Sequence, residues 1–354
     1  MAIIDSYFTE MKERGASDLH MVIGFPPLLR LRGELVPLDE PVLTPESNKK
    51  ILFEILDDDQ QAAIEKNRDF DKAYALEGVG RFRCNLFYQR RGIGAVFRII
   101  PAKILTVDQL NMPDVVRSFA HYERGMVLVT GPTGSGKSTT MAAIIDLIND
   151  THAKHIITIE DPLEFVHPNK KCIFSQREIG SHALSFGKAL SVANREDPDI
   201  ILVGEMRDLE TISLALTCAE LGILVFGTLH TNSAAKTIDR IINAFPAEEQ
   251  AQTRTMLADS LKGVIAQQLL KTKDGKGRCA ALEILIGSNA LASIIREGKI
   301  NQIESMIQTG TAQGMQTMDQ HLQQLIDEDK ITVEAAREKA INKNLFPLPD
   351  GEEE

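Results

Sequence analysis

The residues with the clearest chemistry form one glycine-rich stretch that ends in a lysine and a hydroxyl. The stretch reads Gly131-Pro132-Thr133-Gly134-Ser135-Gly136-Lys137-Ser138. Glycines at these positions let the backbone curl so that its N–H groups surround phosphate oxygens, which larger side chains would obstruct. The lysine can reach the β- and γ-phosphates, and the serine hydroxyl can bind Mg²⁺. These residues, together with Thr139, predict a site for ATP and Mg²⁺.

This stretch lies between a predicted strand and a predicted helix. Before it, Met126–Thr130 is short, apolar and rich in β-branched residues. After it, apolar side chains recur at the spacing of one helix face, at Met141, Ile144, Ile145 and Ile148. A strand, a glycine-rich turn and a helix are the context in which this motif binds phosphate, and the helix N-terminus adds its positive dipole end.

Three further strands are predicted to end in polar residues at one edge of a parallel sheet, where ligands collect. Glu205 follows the apolar run Ile200–Val203, and a carboxylate there can hold Mg²⁺ and activate the attacking water. Glu164 is a candidate to position the water or the metal. Asp161 is a second candidate, but it precedes a proline and also suits an ordinary turn. His230 either contacts the γ-phosphate or serves a structural role.

Phosphoryl transfer also needs cations close to the transferred phosphate. Arg81 and Arg83 lie two residues apart in a predicted strand and therefore share one face of it. Arg98 lies in the next predicted strand. The residues alone leave open whether these arginines bind phosphate or form ordinary surface ion pairs.

The chain of 354 residues is long enough for more than one core, and its pattern changes near residue 124. Residues 1–100 predict an α+β domain, and residues 101–123 predict a linker. Residues 124–285 alternate between strands and helices, which predicts an α/β domain around a mostly parallel sheet. Residues 286–354 predict a helical extension that ends in a loose polar tail, Asp350–Glu354.

Several local elements are specific enough to be tested. A hairpin is predicted around Arg32-Gly33 in the first domain. In the second domain, the apolar spacing predicts helices at Ala235–Ala244 and Ala247–Gln268 and a closing strand at Arg278–Ile284.

Composition argues against several classes of protein. Apolar runs such as Ile200–Val203 and Ile223–Phe226 are too short to span a bilayer, and the N-terminus lacks the features of a signal peptide. These observations predict a cytoplasmic protein without direct membrane insertion. A net charge of −11 argues against broad binding to nucleic-acid phosphates. The cysteines lie too far apart for a zinc or disulfide framework.

Four blocks, in this order, resemble the type II/IV secretion ATPases and, within them, the motors of type IV pilus retraction. The blocks are the glycine-rich loop Gly131–Ser138, an aspartate box at Thr158–Glu164, a Walker B block at Asp197–Glu205 and a histidine box at Gly227–Thr231. The resemblance extends from Gly15 to about Ala340. Four ordered blocks are much more specific than a phosphate-binding loop by itself.

The resemblance implies a PAS-like N-terminal domain joined to a RecA-like ATPase domain in a homohexameric ring. ATP would lie between the two domains, and Arg83 and Arg98 match the family's phosphate-contacting arginines, with Arg81 as a third candidate. Glu205 matches the family's catalytic glutamate. The resemblance further implies Mg²⁺-dependent hydrolysis that drives pilus retraction and twitching motility at an inner-membrane pilus platform protein.

Two positions depart from the family pattern. Ser191 replaces the first arginine of a run before the Walker B strand, whereas Arg195 keeps the second. Ala290–Glu297 keeps the last arginine of a block linked to retraction but lacks the inner one. An accessory retraction motor therefore stays open beside the principal one.

Other functions are compatible with parts of the pattern. A pilus-extension or type II secretion ATPase is the nearest alternative, although such proteins usually carry a tetracysteine zinc site that this sequence lacks. A nucleic-acid motor is disfavoured by the acidic charge and by the lack of an aromatic stacking tract. A scaffold that binds ATP without hydrolysis is disfavoured by the presence of Lys137 and Glu205.

Overall fold

The computed structural model describes residues 2–31, 33–100 and 103–348 and divides into two compact units. The first unit runs to Lys103 and also contains Pro162–Val166, and the rest of the described chain forms the second. Arg32 of the predicted hairpin turn and the predicted tail Asp350–Glu354 lie outside the described residues. The domain boundaries proposed above from sequence stay a prediction.

The first unit is an antiparallel sheet with helices packed on it, as the sequence predicts. Its elements are α1 (Ile3–Glu13), β1 (Asp18–Met21), β2 (Leu28–Leu31), β3 (Glu34–Pro37), α2 (Pro45–Phe53), α3 (Asp58–Asn67), β4 (Asp69–Leu76), β5 (Gly80–Gln89) and β6 (Gly92–Ile100). The strand order is β3-β2-β1-β6-β5-β4. The predicted hairpin is β2–β3.

The core of this unit determines which way the arginines of β5 face. Phe8 on α1 stacks on Phe82 of β5 at 4.0 Å between ring centroids and meets Phe97 edge-on at 5.1 Å. Successive side chains of a strand point to opposite faces of the sheet. Because Phe82 is fixed in the core, its neighbours Arg81 and Arg83 lie on the opposite face.

The second unit alternates strands and helices and ends in helices. Its elements are α4 (Asp114–Ser118), β7 (Gly125–Thr130), α5 (Lys137–Thr151), β8 (His155–Glu160), β9 (Ile173–Glu178), α6 (Phe186–Ala193), β10 (Ile200–Val203), α7 (Leu209–Glu220), β11 (Leu224–Leu229), α8 (Ala234–Asn243), α9 (Gln250–Ser260), β12 (Leu261–Lys271), β13 (Arg278–Ile286), α10 (Asn289–Arg296), α11 (Ile303–Thr309), α12 (Met318–Asp327) and α13 (Val333–Lys339). None of the helices in the described part of the chain is long and apolar enough to cross a membrane.

The sheet of the second unit brings the predicted site residues to one edge. Its strand order is β13-β12-β7-β11-β10-β8-β9, and the neighbouring pairs are parallel except for β12 with β13. Helices cover both faces, so β7, β10 and β11 are buried along their whole length. The glycine-rich loop, Glu205 and His230 follow β7, β10 and β11, respectively. They therefore emerge at the same carboxyl edge.

The predicted helix Ala247–Gln268 is wrong over its second half. The helix covers only Gln250–Ser260, and the chain continues as strand β12 between β7 and β13. This strand is buried on both faces, and a continuous apolar run has no alternation that separates it from a buried helix. Gly263 lies in this strand, and a Cβ at Gly263 would overlap the ring of Phe119.

Two buried histidines of the second unit make its stability depend on pH. Burial lowers the pKa of His167 and of His321 to about 4. An unfolded histidine titrates near pH 6.5, so between about pH 6.5 and 4 the unfolded chain binds more protons than the folded chain. Stability therefore falls as the pH falls through this window. We expect each histidine to lower the free energy of unfolding by about 2 kcal/mol from pH 7 to pH 5, measured by urea denaturation.

The contribution of His321 can be separated from that of other titrating groups. Its Nδ1 accepts a hydrogen bond from the Leu282 backbone N–H at 2.9 Å, and a glutamine can supply an acceptor in its place. His321→Gln is therefore expected to fold and to show a smaller loss of stability between pH 7 and pH 5. The matched control is His121→Gln at an exposed histidine. The same pH dependence in the His321 variant and the wild type would contradict this assignment.

Candidate nucleotide-binding and hydrolysis site

The glycine-rich loop connects the buried strand β7 to the N-terminus of α5. Gly136 caps the helix with φ +87°, a left-handed conformation that favours glycine. Lys137 is the first helical residue and is only 9% exposed. Its Nζ donates hydrogen bonds to the carbonyl oxygens of Gly131 at 2.8 Å and Pro132 at 3.1 Å. The ammonium group thus lies at the loop that we predict to bind phosphate.

The first turn of α5 supplies the remaining predicted contacts of this loop. Ser138 and Thr139 follow Lys137 and are half-buried. The first N–H groups of a helix have no partner within the helix and carry its positive dipole end, so this turn suits an anion. The hydroxyl of Ser138 is a hard oxygen donor of the kind that Mg²⁺ prefers. The loop and the helix start therefore form one continuous anion-binding segment.

Gly204 precedes the predicted catalytic glutamate and lies close to the backbone of the neighbouring strand β8. Its φ is not in the left-handed range, so the backbone conformation does not call for a glycine here. A Cβ at this position would lie 3.1 Å from the carbonyl oxygen of Ile159 and 3.2 Å from Cα of Glu160, both in β8. A side chain at this position would therefore crowd the neighbouring strand.

The carboxylate of Glu205 lies between the guanidinium group of Arg207 and the imidazole ring of His230. Nε of Arg207 approaches one carboxylate oxygen at 2.5 Å, and a second guanidinium nitrogen donates to the other oxygen at 2.5 Å. Nε2 of His230 lies 2.9 Å from the first oxygen. Burial raises the pKa of Glu205, but the Arg207 hydrogen bond and the charges of His230 and Arg207 outweigh it and lower the pKa below its usual value. The fold therefore brings two predicted catalytic residues into contact and keeps the carboxylate ionised.

A cavity of about 470 Å³ lies between the glycine-rich loop and the histidine box. It is lined by Pro132, His230, Thr231, Asn232, Lys236 and Gln268. Lys236 adds a cation that is not among the site residues predicted from the sequence. The ammonium group of Lys236 places a positive charge on one side of the cavity, which suits the phosphates of a nucleotide.

The three predicted arginines share one face of the first unit's sheet. Arg83 and Arg98 lie directly opposite each other on β5 and β6, and both are exposed. Opposed like charges destabilise a sheet, so an anion bound there would relieve their repulsion. Nε of Arg98 also donates to the carboxylate of buried Asp18 at 2.8 Å. Arg81 precedes Arg83 by two residues and pairs in register with Ile100.

Glu164 lies in the segment Pro162–Val166, which belongs to the first compact unit, whereas Glu205 belongs to the second. Glu164 is exposed between the buried side chains of Leu163 and Phe165. The part that Glu164 plays toward water or metal stays a prediction.

The chain is similar to two bacterial proteins over most of its length, and a family model matches most of it. A family model described as type II/IV secretion system protein matches residues 80–346. The type IV pilus retractation ATPase PilT of Pseudomonas aeruginosa is 54% identical over 93% of this chain and 95% of its own length. A twitching motility protein of Neisseria gonorrhoeae is 53% identical over 89% of this chain and 84% of its own length.

A solved structure agrees with the sequence relatives. The crystal structure of the pilus retraction motor PilT with bound ADP matches with a TM-score of 0.91 at 46% identity and covers 98% of both chains. The chain belongs to the type II/IV secretion ATPase family. The predicted family, the predicted α/β fold class and the predicted ATPase activity are confirmed. The roles given to single residues stay predictions.

Three side chains of this ATPase would have been hard to assign from sequence. Arg207 follows Glu205 by two residues, and that spacing was the signal available for their ion pair. Lys236 lies three residues after Ser233, which caps α8 and thereby places the lysine in the first turn. Gln267 lies in β12, where a helix was predicted, so its position beside the glycine-rich loop had no sequence signal.

Proposed function

We propose that this ATPase is a motor that powers the retraction of type IV pili and thereby twitching motility. The observation that carries the proposal is the 54% identity, over nearly the whole chain, to a protein named as a type IV pilus retraction ATPase. The second relative is named as a twitching motility protein. Both relatives bear out the function that the sequence predicts.

The strand-end residues support ATP hydrolysis by positioning and electrostatics. The loop N–H groups, the start of α5 and Lys137 bind the phosphates. Glu205 orients the attacking water and accepts its proton, which is the role a carboxylate at this strand end can perform. His230 holds the Glu205 carboxylate in place from the neighbouring strand end at 2.9 Å. Arg83, Arg98 and Arg81 supply cations for the phosphates.

The donors present fit Mg²⁺ bound together with a nucleotide. Ser138 offers a hydroxyl and Glu205 a carboxylate, and Mg²⁺ typically takes one or two protein groups plus phosphates and water. Within residues 2–31, 33–100 and 103–348, no group of three or more histidine, cysteine, aspartate or glutamate side chains offers an alternative metal site. Bound Mg²⁺ would neutralise charge that develops on the phosphates.

The assembly and its location are part of the proposal. We infer a homohexamer of chains that each have a PAS-like domain (residues 1–100), a linker (101–123), a RecA-like domain (124–285) and a C-terminal helical extension (286–354). Its partner is an inner-membrane pilus platform protein, against which the cytoplasmic ring works. ATP binding favours one arrangement of the domains, and loss of the γ-phosphate releases it.

The test is deletion of the gene in its host, with surface pili counted and twitching motility scored. A retraction motor predicts more surface pili together with lost motility, because extension continues without removal. Re-expression of the wild-type chain should restore both, and re-expression of the Glu205→Gln chain should restore neither.

Other outcomes favour the alternatives. Loss of surface pili would indicate an extension motor and contradict retraction. Unchanged pili and motility would favour an accessory motor or a type II secretion ATPase. One local difference concerns the accessory-motor alternative. Ala292 stands where the family pattern has the inner arginine, and Ala292 packs against the hydrophobic core.

A further inference from the structure

Gln267 connects the strand beside β7 to both ends of the glycine-rich loop. It lies in β12 and is 2% exposed. Its Nε2 donates a hydrogen bond to the carbonyl oxygen of Ser135 at 2.6 Å, and its Oε1 accepts one from Oγ1 of Thr140 at 2.7 Å. The buried amide therefore uses its donor on the loop and its acceptor on the first turns of α5.

The bond to Ser135 fixes the direction of the next N–H group. The carbonyl of Ser135 and the N–H of Gly136 belong to one planar trans peptide, in which they point in opposite directions. Because Gln267 holds the carbonyl on its own side, the Gly136 N–H is held on the other side. Gly136 is the residue that caps α5, so this N–H begins the row of donors at the helix start.

Two glycines of the motif are required by the same residue. A Cβ on Gly131 would overlap the backbone carbonyl oxygen of Gln267, and a Cβ on Gly136 would lie 2.8 Å from its Nε2. Both glycines also have positive φ, at +147° and +87°. The loop thus packs at its beginning and at its end against a single buried side chain and its backbone.

We propose that Gln267 is a positioning residue that holds the glycine-rich loop in its phosphate-binding conformation without contacting the nucleotide. The inference rests on nucleotide binding at Gly131–Ser138 and is independent of what the motor moves. Without Gln267, the loop has to be ordered when the nucleotide binds, and that cost weakens binding. Substrate and transition state use the same loop, so KM is expected to change more than kcat.

The test compares two glutamine-to-methionine variants of the full-length protein. Gln267→Met keeps the length of the side chain and removes both hydrogen bonds. The matched control is Gln316→Met, since Nε2 of Gln316 also donates to a backbone carbonyl, that of Leu282 at 2.9 Å. We expect the ADP dissociation constant, measured by calorimetry, to rise about tenfold in Gln267→Met and to stay at the wild-type value in the control. KM for ATP should rise similarly, and kcat should fall less than about threefold.

Thermal unfolding without nucleotide separates positioning from general stability. An ADP dissociation constant in Gln267→Met that equals the wild-type value would overturn the proposal, whatever the change in melting temperature. Thr140→Val removes only the bond to Oε1, so it should weaken ADP binding less than Gln267→Met does. Equal weakening would overturn the role given to the Ser135 peptide.

A charged variant gives the same test if the methionine variant does not fold. Gln267→Glu keeps the acceptor for Thr140 but places an oxygen against the Ser135 carbonyl, so weaker ADP binding is again expected. Wild-type affinity in that variant would overturn the proposal. The pilus counts of the deletion strain do not bear on this result, so failure of the retraction function and failure of this inference are distinguishable.

Discussion

Glu205→Gln is expected to bind ATP and to lose almost all turnover. The glutamine keeps the size of the side chain and one acceptor oxygen, but it cannot accept a proton from water. General-base catalysis contributes about 10² to 10⁴ in rate, so kcat should fall by at least about 10²-fold. Phosphate release measures turnover, and calorimetry with ATP measures binding on the same preparation.

The control for this variant is Glu220→Gln, at an exposed position near the end of α7. It should hydrolyse ATP at the wild-type rate. Loss of the negative charge at Glu205 also removes the anionic group that contacts Arg207 and His230, so the melting temperature should be checked. Normal turnover in Glu205→Gln would refute the catalytic role of this carboxylate.

Arg83→Ala and Arg98→Ala are expected to slow hydrolysis strongly, by about 10²-fold or more, if both arginines stabilise the transferred phosphate. The two variants should differ in stability. Arg83 is exposed, and its removal relieves the repulsion from Arg98 across the sheet. Arg98 donates to buried Asp18, so its removal is expected to cost about 1 to 3 kcal/mol of unfolding free energy.

Two further variants make the arginine test specific. Arg98→Lys keeps a cation for Asp18 and is expected to restore stability more than activity, because lysine lacks the planar fork of arginine. Arg90→Ala removes an exposed arginine at the turn after β5 and should leave hydrolysis unchanged. Wild-type hydrolysis by both Arg83→Ala and Arg98→Ala would refute their proposed role at the phosphates.

Local sequence predicted those parts of the site whose functional residues are contiguous in the chain. The glycine-rich loop needs a strand before it, a helix after it and its own residues in order, so all of the information is contiguous. Glu205 was found in the same way, at the end of a short apolar strand. His230 was a candidate because it follows β11, and the contact with Glu205 arises because β11 pairs with β10.

The parts that local sequence missed depend on which strands become neighbours. Lys236 and Pro132 line one cavity because they follow β11 and β7, which pair with each other in the sheet. The largest error was the helix predicted through Gln268, where β12 pairs with β7. A strand buried on both faces has no alternation of apolar and polar residues, so its periodicity does not identify it.

The amino-acid sequence by itself determined the nucleotide chemistry, the family and the order of strands and helices around the glycine-rich loop. These features depend on residue type and on spacing along the chain, both of which are present in the sequence. Only the tertiary structure decided that Gln267 lies beside Ser135 and that His230 contacts Glu205. The neighbours of a strand are selected by long-range pairing and burial, and residues that are 132 positions apart, as in the Gln267–Ser135 bond, leave no local pattern of their contact.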